Sequence, residues 1–86
     1  MSPYEKAQLA MVGLKAAVYE LLKAGPEAGL RNADIGRALG IYAGHRGHEG
    51  HVPRTILGIL EQEGVISQDI NTKHWRISRG TPDPET

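Results

Sequence analysis

The residues able to do chemistry gather in the second half of this chain. His51, Arg54, Thr55, Gly58 and Gln62 recur at intervals of three and four, which puts them on one side of a helix at about 100° per residue. A guanidinium can fork onto guanine, a threonine offers a methyl to thymine or a hydroxyl to phosphate, and a glutamine can pair with adenine. Gly58 brings no functional group, and glycine inside a helix costs roughly 1 kcal/mol against alanine. On an open face that cost points to the close approach of something else, such as a DNA backbone. The competing explanation is that Gly58 merely packs against the first helix or the C-terminal hairpin.

Two further segments carry candidate groups. The stretch from Ala43 to His51 holds three glycines in nine residues and the series His45-x2-His48-x2-His51, with Arg46 and Glu49 between. Neutral imidazoles and a carboxylate are proper zinc ligands. The spacing fits no familiar zinc pattern, however, and Gly44, Gly47 and Gly50 leave the segment without internal order. We expect no metal and no cofactor. Instead His45, Arg46 and His48 are placed to meet phosphates beside a helix N-terminus, whose unpaired N–H groups favour anions. Affinity for an anion would then rise below about pH 6.5, where imidazoles gain a proton. Further on, Asn71, Thr72, Lys73, His74 and Arg76 form a polar, partly cationic run suited to lie along a phosphate backbone. Nothing supports catalysis. There is no cysteine, no glycine-rich phosphate loop after a strand, and no serine with a matched histidine and aspartate, so we expect no enzyme activity and no small-molecule substrate.

The elements that must position these groups are legible in part. Ser2-Pro3-Tyr4-Glu5 has the form of a helix start, with Ser2 as cap, Pro3 in the first turn and Glu5 as the capping-box partner. Ala7, Ala10, Met11, Leu14, Val18, Leu21 and Leu22 then follow at helical spacing until Gly25-Pro26, predicting a helix over 3–24. Gly29-Leu30-Arg31 reads as a short extended piece. Asn32 is expected to cap a second helix over 33–39, with Ile35, Ala38 and Leu39 as its apolar stripe and Gly40 as its stop. Ile41 and Tyr42 are expected to fold back onto the core. A third helix is predicted from 52–53 to 63, burying Val52, Ile56, Leu57, Ile59 and Leu60 and closed by Gly64. Two strand-like runs, 65–69 and 73–78, flank a turn at Ile70-Asn71-Thr72. Trp75 and Ile77 share one face of the second run, so Trp75 is expected in the core rather than as a stacking platform.

Composition narrows the class. Eighty-six residues without cysteine make one domain with neither disulfides nor thiolate metal sites. No apolar run approaches the ~20 residues of a membrane span, and the N-terminus lacks a secretory-signal plan. A cytoplasmic location and no membrane partner are therefore expected. Formal net charge is zero, which weighs against a strongly basic nucleic-acid binder. Residues 1–80 nonetheless hold ten Lys and Arg against eight Asp and Glu, a formal +2, and all four histidines lie after residue 44. The stretch 79–86, with two prolines and two acids, is expected to be a disordered tail or linker stub beyond a folded domain over 1–78.

The order of helix, short strand, helix, loop, helix and hairpin resembles the winged helix-turn-helix family. Leu30-Arg31-Asn32-Ala33-Asp34-Ile35-Gly36-Arg37-Ala38-Leu39-Gly40-Ile41 is similar to the second-helix phrase of such domains. Thr55-Ile56-Leu57-Gly58-Ile59-Leu60-Glu61-Gln62-Glu63-Gly64-Val65-Ile66 resembles the third helix running into the wing, and Lys73-His74-Trp75-Arg76-Ile77 the return strand. The likeness covers about residues 5–78. It implies an α+β fold, a winged helix-turn-helix of three helices with a C-terminal two-stranded β-hairpin wing. It also implies double-stranded DNA as partner, with the third helix in the major groove and loop and wing on the backbone. More narrowly, the third helix and Trp-bearing return strand are similar to winged-helix modules attached to restriction endonucleases, including methyl-directed ones, although this chain holds no nuclease domain. The role implied is a regulator or the reader module of a larger DNA-processing protein, as a homodimer or fused to a catalytic domain. The alternative is a winged helix used for protein contact, which the neutral net charge favours.

Overall fold

In a computed structural model of the chain, which describes residues 1–44 and 46–78, three helices precede a two-stranded antiparallel hairpin. His45 and the expected tail over 79–86 lie outside the described residues. Helix α1 spans Pro3–Ala24, as its punctuation predicts. The Ser2 hydroxyl accepts from the Glu5 N–H at 3.1 Å, and the Glu5 carboxylate accepts from the Ser2 N–H at 2.9 Å, so two donors left over at the helix start satisfy each other's residues. The core takes α1 from Met11 onward, past its first two turns. Val18 and Leu22 are buried, and Met11, Leu14 and Leu21 pack partly against the cluster. Ala7 and Ala10, expected on the packed stripe, are exposed, because the remaining elements do not reach the first two turns.

Helix α2 spans Asn32–Ala38, with Arg31 rather than Asn32 in the capping position. The correction has a tertiary cause. The Asn32 side chain does not cap its own helix but donates to the Gly50 carbonyl at 3.1 Å, eighteen residues away, while the Arg31 N–H donates to Asp34. Ala38, expected in the apolar stripe, is exposed, and Gly36 is buried in its stead. The reason is a close crossing: a Cβ on Gly36 would stand 2.9 Å from Pro53 Cγ and 3.0 Å from Tyr42 Cβ. Ile41 and Tyr42 do fold back, both N–H groups donating to the Gly36 carbonyl. Arg37 lies over the Tyr42 ring, 4.7 Å from its centroid.

Helix α3 spans His51–Gln62 and buries Pro53, Ile56, Leu57 and Leu60. Val52, expected on the buried side, is 43% exposed, since Pro53 and not Val52 meets α2. The chain leaves α3 through Gly64 at a positive φ of 77°, a conformation that favours glycine, and enters β1, Ile66–Gln68. It returns as β2, Trp75–Ile77, with Ile66 opposite Ile77 and Gln68 opposite Trp75. Both strands are shorter than expected, though hydrogen bonds from Asp69 N–H to the His74 carbonyl and from Ser78 N–H to the Val65 carbonyl continue the pairing at either end. Leu30 bridges Trp75 on the other edge of β2 through two backbone hydrogen bonds of 2.7 and 3.0 Å. Trp75 is thus held between β1 and the Leu30 segment, and its ring is core, 6% exposed, beside Val18, Leu22, Ile35, Leu57 and Ile66. Among the described residues no helix is long and apolar enough to cross a membrane.

Candidate nucleic-acid interface

The exposed side of α3 is built by subtraction. Once Pro53, Ile56, Leu57 and Leu60 are committed to the core, helical geometry leaves His51, Arg54, Thr55, Gly58 and Gln62 on the other side. His51, Arg54, Thr55 and Gln62 are exposed and Gly58 is half-buried. Apart from its own helix turn, no atom among the described residues comes within 4 Å of where a Gly58 Cβ would stand. Packing against α1 or the hairpin therefore does not explain this glycine.

Around Gly58 runs a groove of about 640 Å³. The 46–50 loop contributes His48, α3 contributes His51, Arg54 and Gly58, the turn of the hairpin contributes Lys73, and the start of α2 contributes Arg31. Three segments distant in sequence, the start of α2, the 46–50 loop with α3, and the hairpin turn, thus bring three permanent cations and two imidazoles to one concave surface. The His48 and His51 rings stack, centroids 5.4 Å apart and 24° from parallel. Glu49 and Glu61 also line the groove. Glu49 is turned to its own loop, where its carboxylate accepts from the Gly47 N–H at 2.7 Å.

The start of α3 adds to the electrostatics. Gly50 is its N-cap, no side chain caps it, and there is no acidic residue in its first turn. The partial positive charge of the helix end is consequently not offset by a local carboxylate. Arg54 arches back over this end, its Nη2 3.6 Å from where a Gly50 Cβ would stand. Gly50 also meets the Asn32 amide so closely that a Cβ would lie 2.7 Å from Asn32 Nδ2. The Asn32 Oδ1 is buried and takes no donor among the described residues.

The other expected residues are distributed differently. Thr55 is exposed, and its hydroxyl donates to the His51 carbonyl at 2.8 Å. Gln62 lies at the C-terminal end of the same face, beyond the groove. Arg46 is exposed on the loop, and His45 lies outside the described residues. At the hairpin tip, Asn71 and Thr72 are engaged through their backbones: both N–H groups donate to Asp69 Oδ1, at 2.8 and 2.9 Å. These bonds, Thr72's first, hold the Asp69 carboxyl below its ordinary value of 3.8. The Thr72 hydroxyl accepts from the His74 N–H. His74 is half-buried, its Nδ1 3.2 Å from the Ala28 carbonyl oxygen, so it fastens the hairpin to the α1–α2 connection. Arg76 does not join the groove at α3 and lines a separate one with Lys23, Glu27 and Ser67. Among the described residues no cluster of three or more His, Asp or Glu is placed to hold a metal.

No family model, curated protein or solved structure matches this chain.

The site is assigned from its own geometry alone. Sequence reasoning did not single out Arg31, Asn32 or Gln68, which line the groove. Arg31 and Asn32 carried a signal, a polar pair at a helix start, but it was absorbed by the capping reading. Lys73 was expected on the polar run of the hairpin, but nothing in the sequence marked its backbone, a positive φ of 66° that is uncommon for a residue with a Cβ and lets its N–H close the turn onto the Asp69 carbonyl at 2.8 Å.

Proposed function

We propose that this chain is a cytoplasmic winged helix-turn-helix module that binds double-stranded DNA, with α3 against the major groove and the β1–β2 hairpin as its wing. The observation that supports this most is the surface around Gly58. An open glycine in the middle of an exposed helix face is flanked by Arg54, Arg31 and Lys73, with the uncapped start of α3 beside it. Each part suits a polyanion that comes close: cations neutralise phosphates, the helix end favours them, and a missing side chain lets a backbone approach. Arg54 would swing from above Gly50 to base edges or phosphate, Thr55 would offer its methyl, and Gln62 would reach the far end of the site. Lys73 and Arg46 would run along the flanking strands. The reading is of a binding module: a regulator, or the reader of a larger DNA-processing protein.

A protein-contact role is the second reading, favoured by Glu49 and Glu61 lining the same groove and by zero formal charge. Chemical-shift mapping separates the two. With random and methylated duplexes, shifts should concentrate at residues 46–58 and at Asn71, Thr72 and Lys73. An unresponsive α3 would contradict the DNA reading, and shifts confined to α1 would favour protein contact.

A further inference from the structure

Helix α1 carries a second apolar seam, on the side turned away from the core. Leu9 is 57% exposed and Val12 61%, Ala16 is exposed and Tyr19 half-buried. Together with Glu5 and Lys23, also exposed, they follow the alternating four-and-three spacing 5, 9, 12, 16, 19, 23. That spacing is the seam of a two-stranded coiled coil. It is distinct from the Leu14, Val18 and Leu22 face that packs inward.

The charges along the seam specify its partner. Let a second copy of α1 lie antiparallel, with the symmetry axis at residue 14. Val12 then faces Ala16 of the second copy, large against small, and Leu9 faces Tyr19. Glu5 at one end faces Lys23 at the other. On one flank Lys6 faces Glu20, and Gly13 faces Gly13 of the second copy. Gly13 has open space where a Cβ would stand, so the two backbones can approach there. On the other flank Lys15 would meet itself, but Lys15 is ion-paired with Glu63 of its own chain, which offsets that repulsion. A parallel pairing sets Glu5 against Glu5 and Lys23 against Lys23 along the seam, and the one opposite-charge flank pair it offers, Lys15 with Glu20, uses a lysine already held by Glu63 of its own chain. The seam spans about 27 Å from residue 5 to residue 23, at 1.5 Å per residue.

We infer that this chain forms a homodimer through antiparallel pairing of α1, in the register that sets Val12 against Ala16 and Lys6 against Glu20 of the second copy. The inference rests on α1 alone and stands apart from the DNA reading of α3. The charge pairs give its test. Lys6→Glu and Glu20→Lys are both surface changes outside the cap and the core. By sedimentation across a concentration series to millimolar chain, the unaltered protein dimerises. Each variant alone dimerises at least about tenfold more weakly, and their equimolar mixture recovers the original affinity, since like charges then become opposite ones. Disulfide trapping fixes the register. The chain has no cysteine of its own, so Val12→Cys mixed with Ala16→Cys should cross-link to each other in preference to either alone. A monomer at every concentration overturns the inference. So do charge variants that dimerise as well as the original, or trapping of Val12→Cys with itself, which marks a parallel pair.

Discussion

Gly58 asks why a helix keeps a residue that weakens it. With no neighbour outside its own helix turn within 4 Å of its missing Cβ among the described residues, Gly58→Ala should fit without strain and stabilise α3 by about 0.5–1 kcal/mol. If the empty space serves an approaching DNA backbone, the same change should lower duplex affinity by about an order of magnitude. Denaturant melts and anisotropy titrations on one preparation would show stability and affinity moving in opposite directions; a stabilised variant of unchanged affinity would leave the glycine without a binding role. Asp69 makes a second residue-scale prediction. Its carboxyl is held down by the Thr72 and Asn71 N–H groups. A depressed carboxyl stabilises the fold above its unfolded value and loses that contribution as pH falls through its folded value. The amide signals of Asn71 and Thr72 should therefore titrate with a midpoint below 3.8 and report a loosening turn in acid; a midpoint at or above 3.8 would contradict the bonding seen here. The residue types of the α3 face were readable because helical periodicity alone sorts them. Lys73 was readable as a cation of the hairpin run, but the Asp69 carboxylate that organises its turn was not, since that role comes from one turn's geometry.

Elements meet where α2 crosses α3, and Gly36 makes the crossing. Pro53 Cγ and the Tyr42 side chain fill the space a Cβ would need. Gly36→Ala should accordingly destabilise the domain by about 1–3 kcal/mol, the usual cost of overpacking, despite alanine's better helix propensity. Thermal or chemical melts would check it, and a neutral or stabilising outcome would mean the crossing is looser than described. The contrast with α1 explains what was legible. Both ends of α1 are marked by local chemistry, Ser2-Pro3-Glu5 and Gly25-Pro26, so its bounds follow from neighbours in sequence. The start of α2 depends on Gly50, whose carbonyl claims the Asn32 side chain. The outward turn of Val52 depends on Pro53 reaching α2 first. Such long-range competition leaves no periodic trace. The hairpin was visible as alternation, but its strands are trimmed to three residues each by the Asp69-centred turn.

For the whole molecule, a formal charge of zero does not show where the cations sit. Arg31, Arg54 and Lys73, from three segments, share one groove, whereas Arg76 faces another. Composition could not show that arrangement, nor could it show that the outward seam of α1 lies apart from the groove residues. The central claim is that this groove neutralises DNA phosphates, and counterion release measures it directly. In titrations of a labelled duplex over a range of salt concentrations, three cations at about 0.9 each predict log affinity falling against log salt with a slope of about −3. The double variant Arg54→Ala/Lys73→Ala should flatten that slope by about 2 while its melting transition is retained. Absence of duplex binding at low salt, or binding whose salt slope the double variant leaves unchanged, would contradict the account.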